Sequence, residues 1–209
     1  QELRSALERP ASLRTVESGS FVRDFDVFAF SVSFEWDYTN VVSLLRLAGL
    51  PLYAAERTER HPLVVLGGAV TFVNPEPLAP FADVVAAGEG EVLIPALVRC
   101  LTGAPHREGL FRALAGERGF YVPSLYDVRY AGDGALEGFS PAPGTPAPVP
   151  VRKAALASTT EVDPPATSIF TPDTEFGSRL LVEVVRGCAN LCRFCWAGYN
   201  YLPVRAFPA

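Results

Sequence analysis

The chain has 209 residues, 49% of them hydrophobic and 20% charged, and a net charge of −5. That balance suits one globular domain and part of a second, and it disfavours a chain that grips nucleic acid through its own field. No uninterrupted apolar run reaches the roughly 18 residues a spanning helix needs and no signal-peptide pattern opens the chain, so the expected place is the cytoplasm, without a membrane partner.

Residues 25–33, Phe-Asp-Val-Phe-Ala-Phe-Ser-Val-Ser, form a short apolar run that predicts a strand buried on both faces. Asp37 or Thr39 can cap the helix that follows. Its Val41, Leu44, Leu45 and Ala48 fall on one stripe, and Gly49 with Pro51 ends it. Residues 62–68 and 83–87 predict a second and a third buried strand, running into Gly67-Gly68 and Gly88. Leu93, Ala96, Leu97, Cys100 and Leu101 mark the stripe of another helix. Strands and helices at this spacing predict an α/β fold with a doubly wound, largely parallel Rossmann-like sheet, whose ligands sit at the carboxyl ends of the strands. Residues 107–138 add a helix and two short strands near 120–122 and 126–130, the latter entering a turn at 131–134. The run 141–150, with five prolines in ten residues, predicts a semi-rigid spacer. Residues 179–185, Arg-Leu-Leu-Val-Glu-Val-Val, predict a strand feeding Gly187. The expected division is an α/β domain over 1–138, a Pro-rich linker over 139–178 and a second domain beginning at 179–209. The chain opens on Gln1 and contains no methionine, so truncation at both ends is expected.

Four cysteines occur in the chain. Three of them, Cys188, Cys192 and Cys195, stand close together in Gly-Cys-Ala-Asn-Leu-Cys-Arg-Phe-Cys. Thiolates are the ligands that iron–sulfur clusters require, and three on one loop leave one iron of a [4Fe–4S] cluster open. The fourth, Cys100, lies on an apolar helical stripe and reads as a buried, inert thiol. A structural zinc site would need a fourth ligand, and His61 and His106 lie in distant polar stretches and read as surface residues. A redox pair of Cys192 and Cys195 would leave Cys188 unexplained.

The spacing of three residues and then two, the aromatic before the last cysteine and the Arg-Gly lead-in resemble the signature of the radical S-adenosylmethionine (radical SAM) superfamily. The resemblance implies that the open iron binds S-adenosylmethionine. An electron from the cluster then yields methionine and a 5′-deoxyadenosyl radical, an electron donor such as flavodoxin or ferredoxin being required. It also implies that Phe194 lies against the adenine, and it offers Arg193 and Arg205 as anchors for the carboxylate or as solvated residues. The substrate, a small molecule or RNA, stays open.

Ser31-Val-Ser33, Gly67-Gly68, Asn74-Pro-Glu-Pro77, Gly88-Glu-Gly-Glu91, residues 34–40, Tyr121-Val-Pro123 and Tyr201-Leu-Pro-Val-Arg205 resemble a subgroup of these enzymes. Its members, called Fe–S oxidoreductases, carry a cobalamin (B12)-binding-like domain before a partial (β/α) barrel. The resemblance implies that Ser31, Ser33, Gly67 and Gly68 line a corrinoid site. The family's Asp-x-His-x-x-Gly motif, with its cobalt-ligating histidine, is absent from this chain. Gly67-Gly68 therefore also reads as a plain strand-end turn, and Gly88–Glu91 as a turn with a helix start. Residues 179–209 would be the first strand and cluster loop of the barrel. Only residues 196–209 follow Cys195, too few to close one, so this chain alone is expected to be inactive. A methylthiotransferase would need three further cysteines in the N-terminal domain. The competing expectation is an accessory or binding module with a degenerate corrinoid-type domain and a structural or absent cluster.

Overall fold

A computed structural model describes residues 13–173 and 175–208. The chain divides into two compact units, with the boundary between Ala155 and Leu156. The first twelve residues of the domain expected over 1–138 lie outside the described residues.

The first unit is built on a four-stranded sheet of β1 (Val27–Ser31), β2 (Leu63–Gly67), β3 (Val84–Ala86) and β4 (Phe120–Tyr121), in that spatial order. β1, β2 and β3 are parallel, and β4 runs antiparallel to β3. Residues of β2 from Leu63 to Leu66 and all of β3 are buried, as continuous Val/Leu runs demand of strands covered on both faces. β1 departs from its expectation. It is only partly buried, with Ala29 and Ser31 exposed, because among the described residues it is the sheet's edge and has β2 on one side alone. The order follows the chain without the reversal that defines a doubly wound sheet, so the described strands have no topological switch point.

Helix α1 (Tyr38–Leu47) connects β1 to β2 and buries Val41, Leu45 and Ala48 along the expected stripe. Asp37 stands at its N-cap position without capping the backbone; its carboxylate accepts from the Asn40 side-chain amide at 3.1 Å. The short helix α2 (Val70–Val73) and a 3-10 segment Glu76–Phe81 connect β2 to β3. Helix α3 (Gly90–Gly103) buries Leu93, Ala96 and Cys100, and Glu91 occupies its first turn, so Gly88–Glu91 is a helix start. Helix α4 (Arg107–Gly116) buries Leu110, Leu114 and Ala115.

Two stretches differ from the sequence-based expectation. Tyr126–Tyr130 (β5) is the expected strand and enters the expected turn, but it also gains a partner that was not expected, β6 (Leu136–Pro141), with which it forms a hairpin; Tyr126 stacks on Phe139 at 4.8 Å. The proline-rich run does not stand free as a spacer. Tyr126 donates to the Pro148 carbonyl at 2.7 Å, Arg112 to the Gly144 carbonyl at 2.9 Å, and Ala147 is buried. Prolines offer no N–H, but their carbonyls still accept, and side chains of the first unit use them to tie the run down.

In the second unit, β7 (Val185–Arg186) pairs antiparallel with β8 (Arg205–Ala206), and helix α5 (Ala197–Asn200) lies between them in the chain. The strand expected over 179–185 shrinks to this pair and a single bridge from Val182 to Ala166. Leu180, Leu181, Val182, Val184 and Val185 are all exposed, because the described residues of this unit supply too few partner strands to cover them.

Candidate functional site

The β7–β8 pair closes a loop, and all three clustered cysteines ride on it. Gly187 opens the loop at φ +89°, where a Cβ would stand 2.5 Å from the Tyr201 carbonyl oxygen. Only glycine permits this crossing of the outgoing and returning chain. Arg186 braces the entry. It is buried, grips Glu183 through Nε–Oε1 at 2.9 Å and Nη2–Oε2 at 2.7 Å, and lies over the Phe207 ring. Such a two-point guanidinium–carboxylate contact fixes orientation as well as charge.

Within the loop, Leu191 adopts φ +48°, and its carbonyl accepts from the Tyr199 hydroxyl at 2.8 Å. The Cys195 amide donates to the Cys192 carbonyl at 3.0 Å, turning the chain between these two thiols. Gly198, buried in α5, packs beside the Leu191 backbone, at a distance where an added Cβ would make an ordinary contact of 3.4 Å. The loop is therefore shaped by backbone contacts that leave its thiols uncommitted. All three are free, Cys192 exposed and Cys188 and Cys195 partly so. Among the described residues no three His, Cys, Asp or Glu side chains are gathered as a ready metal cage. The donor chemistry nevertheless fits an iron–sulfur cluster: three soft, unoxidised thiols on one short loop, reachable from solvent.

The neighbouring residues divide. Phe194 is 90% exposed, an aromatic face with nothing laid on it. Arg193 is exposed. Arg205 is not a solvated residue: it is buried, and donates to the Pro203 and Leu156 carbonyls at 3.0 and 2.9 Å. Its guanidinium holds the backbone of this unit together. Cys100 is buried in α3 of the first unit, and burial pushes its thiol pKa up, helped by Glu117, so it stays a protonated, inert thiol.

At the carboxyl edge of the first unit's sheet, Ser31 and Gly67 are register partners and close their strands side by side. Ser31 lines a cavity of about 520 Å³ between β1 and α1, together with Asp37, Asn40 and Ser43. Ser33 is exposed. Gly68, at φ +90°, has the Val32 backbone oxygen where a Cβ would lie, at 2.6 Å. The Val32 amide also donates to the Gly67 carbonyl at 2.9 Å, and the Val70 amide to the Val32 carbonyl at 3.0 Å. The chain's own backbone thus fills the space that Gly68 leaves, which accounts for this glycine as a strand-end turn.

Sequence reasoning missed an ionic cluster at the opposite edge. Asp83, immediately before β3, is 1% exposed and meets Arg57 at 3.1 Å and Arg107 at 2.6 Å. Both arginines are also bound to backbone carbonyls, Arg57 to those of Pro51, Leu52 and Phe81. A carboxylate abutting the run Val84-Val85-Ala86 was the one available signal, since a buried charge needs a partner. His61 and His106 each accept a backbone N–H at Nδ1, His106 from Gly109 at 3.0 Å as the cap of α4.

Among the described residues no helix is long and apolar enough to cross a membrane. No curated protein and no solved structure matches the chain. A family model described as radical SAM proteins, N-terminal, matches residues 2–123, which cover β1 to β4 and the helices between them, and the chain belongs to that family.

Proposed function

We propose that this chain is the N-terminal α/β domain and cluster loop of a radical SAM Fe–S oxidoreductase, with Cys188, Cys192 and Cys195 as the three ligands of a [4Fe–4S] cluster. The observation that carries the reading is the set of three free thiols on one closed loop, in a chain whose residues 2–123 fall in the family. When bound, the cluster would supply the electron that breaks the C5′–S bond of S-adenosylmethionine, releasing methionine and a 5′-deoxyadenosyl radical, with substrate and electron donor as separate partners.

The chain's own residues do the positioning. Gly187 and the β7–β8 pair bring the two ends of the loop together, and its thiols are at least partly open to solvent. Tyr199 ties down the Leu191 carbonyl, on the path between Cys188 and Cys192. Phe194, between the last two cysteines and open to solvent, offers a ring face on which a purine can stack. Residues 1–138 would form the cobalamin-binding-like domain of this reading. The crossing of Val32 over Gly68 argues that Gly68 serves the turn and leaves Ser31 and Ser33 as the exposed side chains at that edge.

Anaerobic reconstitution with iron and sulfide tests the proposal. About four irons per chain are expected, with an EPR signal of the reduced cluster that shifts on adding S-adenosylmethionine. Cys192→Ala should abolish the signal and Cys100→Ala should keep it. Iron bound equally well by a Cys188/Cys192/Cys195 triple alanine variant would sink the assignment. No iron in any form of the chain would favour the accessory-module reading.

A further inference from the structure

Among the described residues, Leu191 is the one residue other than glycine with a positive φ, at +48°. In that left-handed region a Cβ crowds the neighbouring backbone, which is why glycine and, less often, asparagine are found there. Leucine has no polar side chain with which to offset the strain, so it stays there only if its surroundings hold it. Leu191 stands immediately before Cys192. The strain therefore lies on the peptide that leads into the middle one of the three clustered thiols.

The hold comes from both sides of that peptide. The Leu191 carbonyl accepts from the Tyr199 hydroxyl at 2.8 Å, and the Cys192 carbonyl accepts from the Cys195 amide at 3.0 Å. Tyr199 rides on α5, the single turn that begins two residues after Cys195, and its own amide donates to the Trp196 carbonyl at 2.9 Å. Tyr199 is 51% exposed, so little of its ring is buried, and the bond to Leu191 is the hydrogen bond its side chain makes. A peptide is planar and trans, so a fixed carbonyl also fixes the N–H on its far side. Holding the Leu191 oxygen thus orients the Cys192 amide and the direction in which Cys192 leaves the turn.

We propose that Tyr199 is a positioning residue for Cys192: its hydroxyl holds the turn at Leu191 in the left-handed form and so presets the loop before any cluster is bound. The role rests on the reading of Cys188, Cys192 and Cys195 as cluster ligands. Without the hydroxyl, residue 191 relaxes to a negative φ and the Cys192 peptide turns with it. Each binding event must then bend the loop back against the strain. The bond and the strain are coupled: take away the Cβ of residue 191, and the hydroxyl has little left to hold.

The turn can be read by NMR before metal is added. In the ¹⁵N-labelled chain without iron, residue 191 should give the strong Hα–HN cross-peak of a positive φ, and Tyr199→Phe should weaken it. After anaerobic reconstitution, Tyr199→Phe should lose iron to a chelator about fivefold faster, the worth of one such hydrogen bond. Two backgrounds separate positioning from stability. Leu191→Ala keeps the Cβ and with it the strain, so adding Tyr199→Phe should again speed the loss about fivefold. Leu191→Gly removes the strain, so adding Tyr199→Phe should change the rate by less than about twofold. The proposal fails if the cross-peak persists in Tyr199→Phe or if that variant loses iron at the parent rate. It fails equally if the two backgrounds respond alike, the hydroxyl then serving α5 alone. A parent chain that takes up no iron would sink the ligand reading instead, and the cross-peak comparison, made without metal, still decides the hold on residue 191.

Discussion

Residues 13–155 bury their apolar side chains around β1 to β4, whereas residues 156–208 leave most of theirs in solvent. Leu45, Leu66, Val84 and Phe120 have no measurable exposure; Leu180, Val184 and Phe194 are 63%, 67% and 90% exposed. The first unit is held by side chains packed against a sheet. The second is held by backbone: the β7–β8 pair, the Gly187 crossing, and arginines whose guanidinium groups grip a carboxylate or carbonyls. A unit held in that way can keep reactive thiols accessible, which a close-packed core cannot.

That contrast predicts where substitutions hurt. The largest loss belongs to Asp83→Ala, which strands two buried guanidiniums; it should lower stability in denaturant titration by about 3–5 kcal/mol. Leu66→Ala should cost about 2–5 kcal/mol by leaving a cavity, while Leu180→Ala, on an exposed side chain, should stay within about 0.5 kcal/mol. Equal effects of these two would erase the distinction between the units. Gly187→Ala should cost on the order of 1–3 kcal/mol, felt locally as faster protease cleavage after residue 156 with the unfolding transition of the first unit unmoved.

Alkaline pH acts on the first unit. The pKa values of Tyr121 and Tyr126 are raised above 10.0, chiefly by burial. A group whose pKa is higher folded than unfolded stabilises the fold in full below the unfolded value and loses that contribution as pH climbs toward the folded one. Thermal stability should therefore decline above about pH 10, and less so in Tyr121→Phe. The smallest effect expected is that of Phe194→Ser, which should leave Tm unchanged within error and weaken only the response of the reconstituted cluster to S-adenosylmethionine.

The features legible in the sequence were those set by local spacing. The stripes of α1 and α3 and the buried runs of β2 and β3 follow from side-chain periodicity, and the three cysteines lie within eight residues of one another. What escaped depends on distant partners. β6 was unreadable because Leu-Glu-Gly-Phe-Ser-Pro alternates weakly and owes its conformation to β5. The proline-rich run looked like a spacer because its bonds come from Tyr126 and Arg112, on other elements. The run 179–185 reads as a buried strand by composition, yet a strand is buried only by what pairs with it. Arg57, Asp83 and Arg107 are separated by 26 and 24 residues along the chain and are joined only when the sheet edge forms.

The β7–β8 pair has a consequence for how a cofactor would be acquired. An open chain must search for the arrangement that brings three scattered thiols to one small object, and each ligand added restricts the next. A chain already tied at Val185–Arg186 and Arg205–Ala206 has completed part of that search before any iron arrives. On the proposed reading the two-residue knot would act as a kinetic device: loosening it should slow the capture of metal even where the final affinity, once all three sulfurs are engaged, is little changed.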